Sequence, residues 1–274
     1  MKKRQGITRK IRDGWVNHWE TDNSKDNGYI SFIKTQDIKS EGSKNRSPDF
    51  LNPNQDRNFL SINESLFYLQ LLFDGRITWV KEQYPLLPIE SAQYAAKMMG
   101  ERYSTYPYSS NVPIVMTSDF YCGTIIPNKE VIYSIKDEKA FDDEDLKEEY
   151  IKNQKIEKAF WISKGVAWHL IRSADIKNDF STNLEKIVVD LYLNRELSFV
   201  FSDWIKYARS QLTKYSDIAF VNLFDDTASR FNVSYDQAIS LFQYALWHKK
   251  ITANLKKPLN YSHTLSDLGI AFND

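Results

Sequence analysis

The chain has 274 residues, 36 Lys+Arg against 36 Asp+Glu and 42% hydrophobic residues, so it carries no formal net charge and has ample apolar surface for a core. Its 39 aromatic residues, set against 17 Gly and Pro together, exclude a disordered or collagen-like chain. The single cysteine, Cys122, excludes an internal disulfide and a Cys-rich zinc site, and it points to a reducing cytosol. The length suits one large domain or two modest ones, and two are expected. No run approaches the ~18 apolar residues of a membrane span, and the basic start leads into no hydrophobic segment, so the expectation is a cytoplasmic protein with no membrane partner.

Zero net charge weighs against a nucleic-acid partner, but the charges are unevenly placed. The first twelve residues carry six bases (Lys2, Lys3, Arg4, Arg9, Lys10, Arg12) and no acid. Such a segment is either an arm that lies along phosphates or an unpartnered tail. Asp137 to Glu149 packs eight acids into thirteen residues, the mark of a solvated face or loop. Residues 38–58 are polar and aperiodic and read as a surface loop. No internal repeat is present.

Helical spacing opens near Ser61 or Asn63 and stops before Gly75. Its stripe of Leu60, Glu64, Phe67 and Leu71 sets a carboxylate inside an apolar face. Arg76 to Val80 reads as a strand running into a Pro-closed loop, where the Glu82–Gln83 pair is expected to fix the chain beside the cleft. Residues 91–103 are helix-compatible. Residues 111–123 form a strand with Val115, Thr117, Asp119 and Tyr121 on one face, and residues 131–136, with Ile132, Ser134 and Lys136 on one face, complete a hairpin. Residues 145–159 favour a helix and residues 159–171 a strand-like or mixed run. From about Asp175 strand signals give way to helices. Two of them, 217–231 and 234–250, flank the turn Asn232–Val233 like a helix-turn-helix, and the β-branched residues around Lys256-Lys257-Pro258 suit a small wing.

Glu64, Asp119, Ser134 and Lys136 are the residues with chemistry to offer. Magnesium takes hard oxygen ligands, usually one or two carboxylates with water and phosphate oxygens. A lysine on the hairpin partner can neutralise a phosphate or position the attacking water. This layout suits metal-dependent phosphodiester hydrolysis, while a Glu64 paired with a local Arg or Lys is the structural alternative. To share an ion, the two carboxylates must lie within about 8 Å of each other, given about 2 Å per ligand bond. His169 and His248, beside Trp168 and Trp247, are expected in packing or surface roles, and Cys122 as a buried inert thiol.

The segments SINESLFYLQLL, WVKEQYPLLP, MTSDF and VIYSIK, and above all KEQYPLLP at 81–88 and SDF at 118–120, resemble the TnsA endonuclease subunits of heteromeric cut-and-paste transposons. The resemblance covers residues 60–170 and, more loosely, the rest. It implies an α/β restriction-endonuclease-like nuclease domain over 1–174 and a mostly α-helical, winged-helix-like domain over 175–274. It also implies Mg²⁺, with Mn²⁺ as a substitute, held by Glu64, Asp119 and the backbone carbonyl of Ile135, with Lys136 as the catalytic lysine. Ser134 departs from the family, which has Asp, Glu or Gln there. Its short hydroxyl reaches a metal weakly or through water, unless Asp137 or Glu138 leans in.

The same resemblance implies a DNA endonuclease that cuts the 5′ ends of a transposon, working with a DDE-type transposase subunit (TnsB-like) and an ATP-dependent regulator (TnsC-like). The recognition-helix candidate 234–247 offers Tyr235, Gln237 and Gln243 but few bases, so the second domain suits protein contacts as well as DNA. The alternatives are a non-catalytic DNA-binding or scaffold subunit that lost its chemistry at Ser134, and a stand-alone restriction or repair nuclease. A winged-helix regulator would leave Glu64, Asp119 and Lys136 without a role.

Overall fold

The computed structural model describes residues 6–25, 28–37, 45–50, 55–109, 111–136, 144–214, 217 and 219–273. The chain divides into two compact units, Met1–Ser65 with Asp74–Ile176, and Leu66–Phe73 with Lys177–Asp274.

In the first unit, α1 (Arg9–Asn23) starts at Thr8, whose hydroxyl accepts from the Ile11 amide. The antiparallel pair β1 (Asn45–Pro48) and β2 (Asp56–Phe59) precedes α2 (Ile62–Phe73). Then come β3 (Ile77–Pro85), α3 (Ile89–Met98), β4 (Thr117–Thr124), β5 (Glu130–Lys136), α4 (Glu144–Ser163), β6 (Ala167–Arg172) and α5 (Ser173–Ile176). The sheet runs β3-β4-β5-β6, antiparallel at the first two contacts and parallel at the last. A parallel pair needs a long crossover, and the twenty-residue α4 supplies it. Helices α3 and α4 cover one face of the sheet through Ala92, Ala96, Ile156, Phe160 and Trp161 against Leu86 and Ile132. Phe120, one position out of phase with Tyr121, points to the opposite face and meets Phe59.

Four expectations change here. The strand expected to end at Val80 continues to Pro85, pairing with β4 as far as Pro85↔Thr117, and its charged Glu82 is buried against Arg57. Residues 159–163, expected as strand-like, complete α4, since Ile156, Phe160 and Trp161 fall on its buried face and Gly165, at φ +75°, turns the chain out. A short apolar run does not by itself tell a buried helix from a strand. Part of the expected loop 38–58 is β1–β2, and Arg57 and Asp49 within it are buried. Arg12, counted in the basic arm, is 8% exposed and ion-paired to Asp13, whereas Arg9 and Lys10 are exposed. Lys2, Lys3 and Arg4 lie outside the described residues, as do Asp137 and Glu138.

The second unit joins Leu66–Phe73 of α2 to α6 (Asp179–Ile187), α7 (Arg195–Lys214), α8 (Phe220–Phe231) and α9 (Tyr235–Trp247), with two-residue strands β7 (Ile251–Thr252) and β8 (Ala271–Phe272). Trp204, Tyr68, Phe220, Phe224 and Phe242 are its largest fully buried side chains. Asn232, left-handed at φ 52°, ends α8, and Ser234 with Gln237 forms a reciprocal capping box that starts α9. The strands pair at Ile251↔Phe272 and enclose the Lys256-Lys257-Pro258 turn in a longer loop, so that turn is not the tip of a two-stranded wing. The Asn183 amide instead ties this loop to α6 through the Leu255 and Lys257 carbonyls. Among the described residues no helix is long and apolar enough to cross a membrane.

Candidate active site

The pairing Tyr121↔Ile132 in the β4–β5 ladder sets Asp119 and Ser134, two residues further on, side by side on one face. They line a cleft of about 320 Å³ together with Ile135, Tyr150, Gln154 and Glu157. Asp119 is held from behind, where the Ile135 amide donates to Oδ2 at 2.7 Å. The Ile135 carbonyl accepts from the Tyr150 hydroxyl at 2.7 Å and keeps a second lone pair.

Glu64 enters from the first turn of α2. Its sequence Ser61-Ile62-Asn63-Glu64 is an N-terminal box: the Ser61 hydroxyl accepts from the Glu64 amide at 3.2 Å and donates to Oε1 at 3.0 Å, and the Leu60 amide donates to Oε2 at 2.9 Å. The carboxylate therefore caps its own helix. Gln83 of β3 joins it to Asp119, because the Gln83 Nε2 donates to Glu64 Oε2 at 3.1 Å and to Asp119 Oδ1 at 3.4 Å. One nitrogen within hydrogen-bond reach of both oxygens sets the pair well inside the ~8 Å limit for a shared ion. Glu64 does not itself line the cleft, and neither does Lys136, which ends β5 half-buried.

Ser134 is 4% exposed and donates to Oε1 of Glu157, in α4, at 2.5 Å. Among the described residues the hydrogen-bond partners of Glu64, Asp119 and Glu157 are neutral amides and hydroxyls. Burial therefore raises all three carboxyl groups above the usual carboxylate range, and the Asp119 charge pushes Glu64 and Glu157 further up. At Asp119 the Ile135 and Gln83 N–H groups oppose the rise, while Glu157 reaches about 7. Carboxylates clustered without a cationic side chain are a donor set suited to a hard divalent ion. Among the described residues no group of three or more His, Cys, Asp or Glu is arranged to hold a metal.

Sequence reasoning missed three residues of this site. Gln83, expected to fix a loop beside the cleft, lies instead within β3. Glu157 follows Ile156 and precedes Phe160 on the buried face of α4, the same sign that had flagged Glu64. Gln154 lines the cleft, and its Nε2 is a buried donor without a partner among the described residues. Cys122 is fully buried and its thiol is pushed up by burial. His248 lies 2.9 Å from the Leu191 carbonyl, and His169 stacks on Tyr133.

No protein-family model matches the chain. Over 180 residues, 65% of its length, it is 24% identical to the Transposon Tn7 transposition protein TnsA of Escherichia coli. The alignment spans 60% of that protein.

Proposed function

We propose that this chain is a metal-dependent DNA endonuclease subunit of a transposase, hydrolysing phosphodiester bonds at the 5′ ends of a transposon. The observation that carries the reading is the buried Glu64–Asp119 pair, joined through Gln83 Nε2 with Asp119 lining the cleft, and the likeness to TnsA supports it. Asp119 and the Ile135 carbonyl, with Glu64 behind, would hold Mg²⁺ or Mn²⁺. The ion supplies charge neutralisation at the scissile phosphate and an acidified water. Gln154 offers its free N–H to a non-bridging phosphate oxygen. Glu157 orients the Ser134 hydroxyl and, near pH 7, can take or give a proton there. Lys136 is assigned to the phosphate charge.

The fold assignment that goes with this reading is a restriction-endonuclease-like first unit and a winged-helix-like second one. Partners of the transposase and ATP-dependent regulator types complete the reaction in the bacterial cytoplasm. Ser134 favours a second reading, a scaffold subunit without chemistry, but Glu157 returns a carboxylate to that position.

The test is strand cleavage of transposon-end DNA by the chain with Mg²⁺, alone and with a partner transposase. Cleavage that needs the partner, and that is lost in Asp119→Ala and Lys136→Ala, is expected. Undiminished cleavage in Asp119→Ala ends the nuclease reading, and full cleavage by the isolated chain replaces it with a stand-alone nuclease.

A further inference from the structure

Gln83 combines three features that a purely structural strand residue does not need. Its backbone is left-handed, at φ 49°, in the middle of β3, a conformation that is strained for a non-glycine residue. That backbone is anchored from several sides: the Phe32 amide donates to the Gln83 carbonyl at 3.3 Å, the Tyr29 hydroxyl donates to the Glu82 carbonyl at 2.7 Å, and Arg57 grips the Glu82 carboxylate at 2.7 Å. The side chain is 2% exposed and fixed at its far end, where the Thr117 hydroxyl donates to Oε1 at 3.0 Å, which aims the NH₂ at the carboxylates. Strain held in place by surrounding structure is a pointer to function.

We infer that the Gln83 amide is a placeholder for the cation: in the metal-free protein its NH₂ hydrogen-bonds both members of the Glu64–Asp119 pair, and a divalent ion entering between them displaces it. This inference rests on the reading of the pair as a metal site. The chemistry follows from the donor inventory. An NH₂ carries two donors, enough for one oxygen of each carboxylate, and no other amide nitrogen among the described residues bonds both. Two buried like charges with no compensating donor repel, so without the ion the amide keeps them together. With the ion, the same two hydrogen bonds compete with coordination. Gln83 is thus a positioning residue, and the competition sets the metal affinity below what the bare carboxylates would give.

The experiment is a calorimetric Mg²⁺ titration of the full chain at about pH 9, where raised carboxyl groups are ionised, with thermal melting in EDTA and in saturating Mg²⁺. Wild type is compared with Gln83→Ala, with Gln83→Met, which keeps length without a donor, and with Asp119→Asn as the site control. Removing the competing hydrogen bonds is expected to tighten Mg²⁺ binding about tenfold in both Gln83 variants, given the strength of hydrogen bonds to charged groups. The variants should melt below wild type in EDTA, and the gap should close in Mg²⁺. A packing role would leave the same gap under both conditions. Unchanged or weaker Mg²⁺ affinity in both variants overturns the placeholder role while leaving the metal site standing. No Asp119-dependent Mg²⁺ binding in wild type overturns the metal site and the inference together.

Discussion

The Ser134 hydroxyl donates to Oε1 of Glu157 across 2.5 Å, so a strand residue with no charge presents a carboxylate that belongs to α4. The serine hydroxyl orients a longer acid whose backbone sits one layer away. On the proposed function, the pair would divide between two elements what a single strand Glu or Asp does.

Glu157→Gln keeps the volume and the contact to Ser134 but removes the charge. Cleavage by the reconstituted complex is expected to fall about 10–100-fold, the usual cost of losing a residue that orients or tunes a metal site. Ser134→Ala, which leaves Glu157 in place, should fall less. Initial rates of 5′-strand cleavage at saturating Mg²⁺ decide this, and equal rates for Glu157→Gln and wild type would remove Glu157 from the reaction.

The raised carboxyl groups fix the sign of the pH dependence. Glu157 binds its proton up to about 7 in the folded protein, whereas an unfolded carboxylate releases it near ~4. Between those limits the folded state binds more protons, so stability falls as pH rises through the window. Glu64 and Asp119 act in the same direction. Urea melts in EDTA should therefore show highest stability at the acid end of the window, apart from contributions of other groups, and Glu157→Gln should flatten the slope. Added Mg²⁺ should stabilise more at the alkaline end, because binding requires the deprotonated acids.

Arg57 lies between Asp49 and Glu82, with 2.7 Å to each, and all three side chains are buried. Breaking a buried pair by deleting one partner strands the other charge, so Arg57→Ala is expected to cost about 3–5 kcal/mol in a denaturant melt. Because Glu82 precedes Gln83, Mg²⁺ affinity should change in the same variant. A loss below about 1 kcal/mol would mean that water reaches the two acids and that the network is not closed.

In the second unit, two glutamines of the supposed recognition helix are already engaged. Gln237 caps α9, and the Gln243 amide lies 2.6 Å from the Tyr261 hydroxyl. Gln243→Leu should destabilise by about 1–3 kcal/mol through the hydroxyl left unpaired. It should leave DNA sequence preference unchanged in a binding assay, and altered base preference would restore the helix as a reader of DNA.

The sequence by itself determined the residues that pattern can isolate. The helix carrying Glu64 was legible from its 3.6-residue period and the β4–β5 hairpin from its period of two, with Asp119 and Ser134 each placed on one face of its own strand; the register that sets them side by side came from the ladder. The break at Asn232–Val233 was legible from turn chemistry. Tertiary structure decided which of these residues meet. Glu157 is 23 positions from Ser134, and Gln83 is 36 from Asp119 and 19 from Glu64. Local periodicity carries no information about such contacts. A buried glutamate reads as an exposed one until the helix that bears it is packed on a sheet, and a Glu-Gln pair reads as loop until Arg57 makes burial of the charge tolerable. Periodicity records which face of an element turns inward; the partner it finds there, and hence the chemistry, is set by the packing of elements distant in the chain.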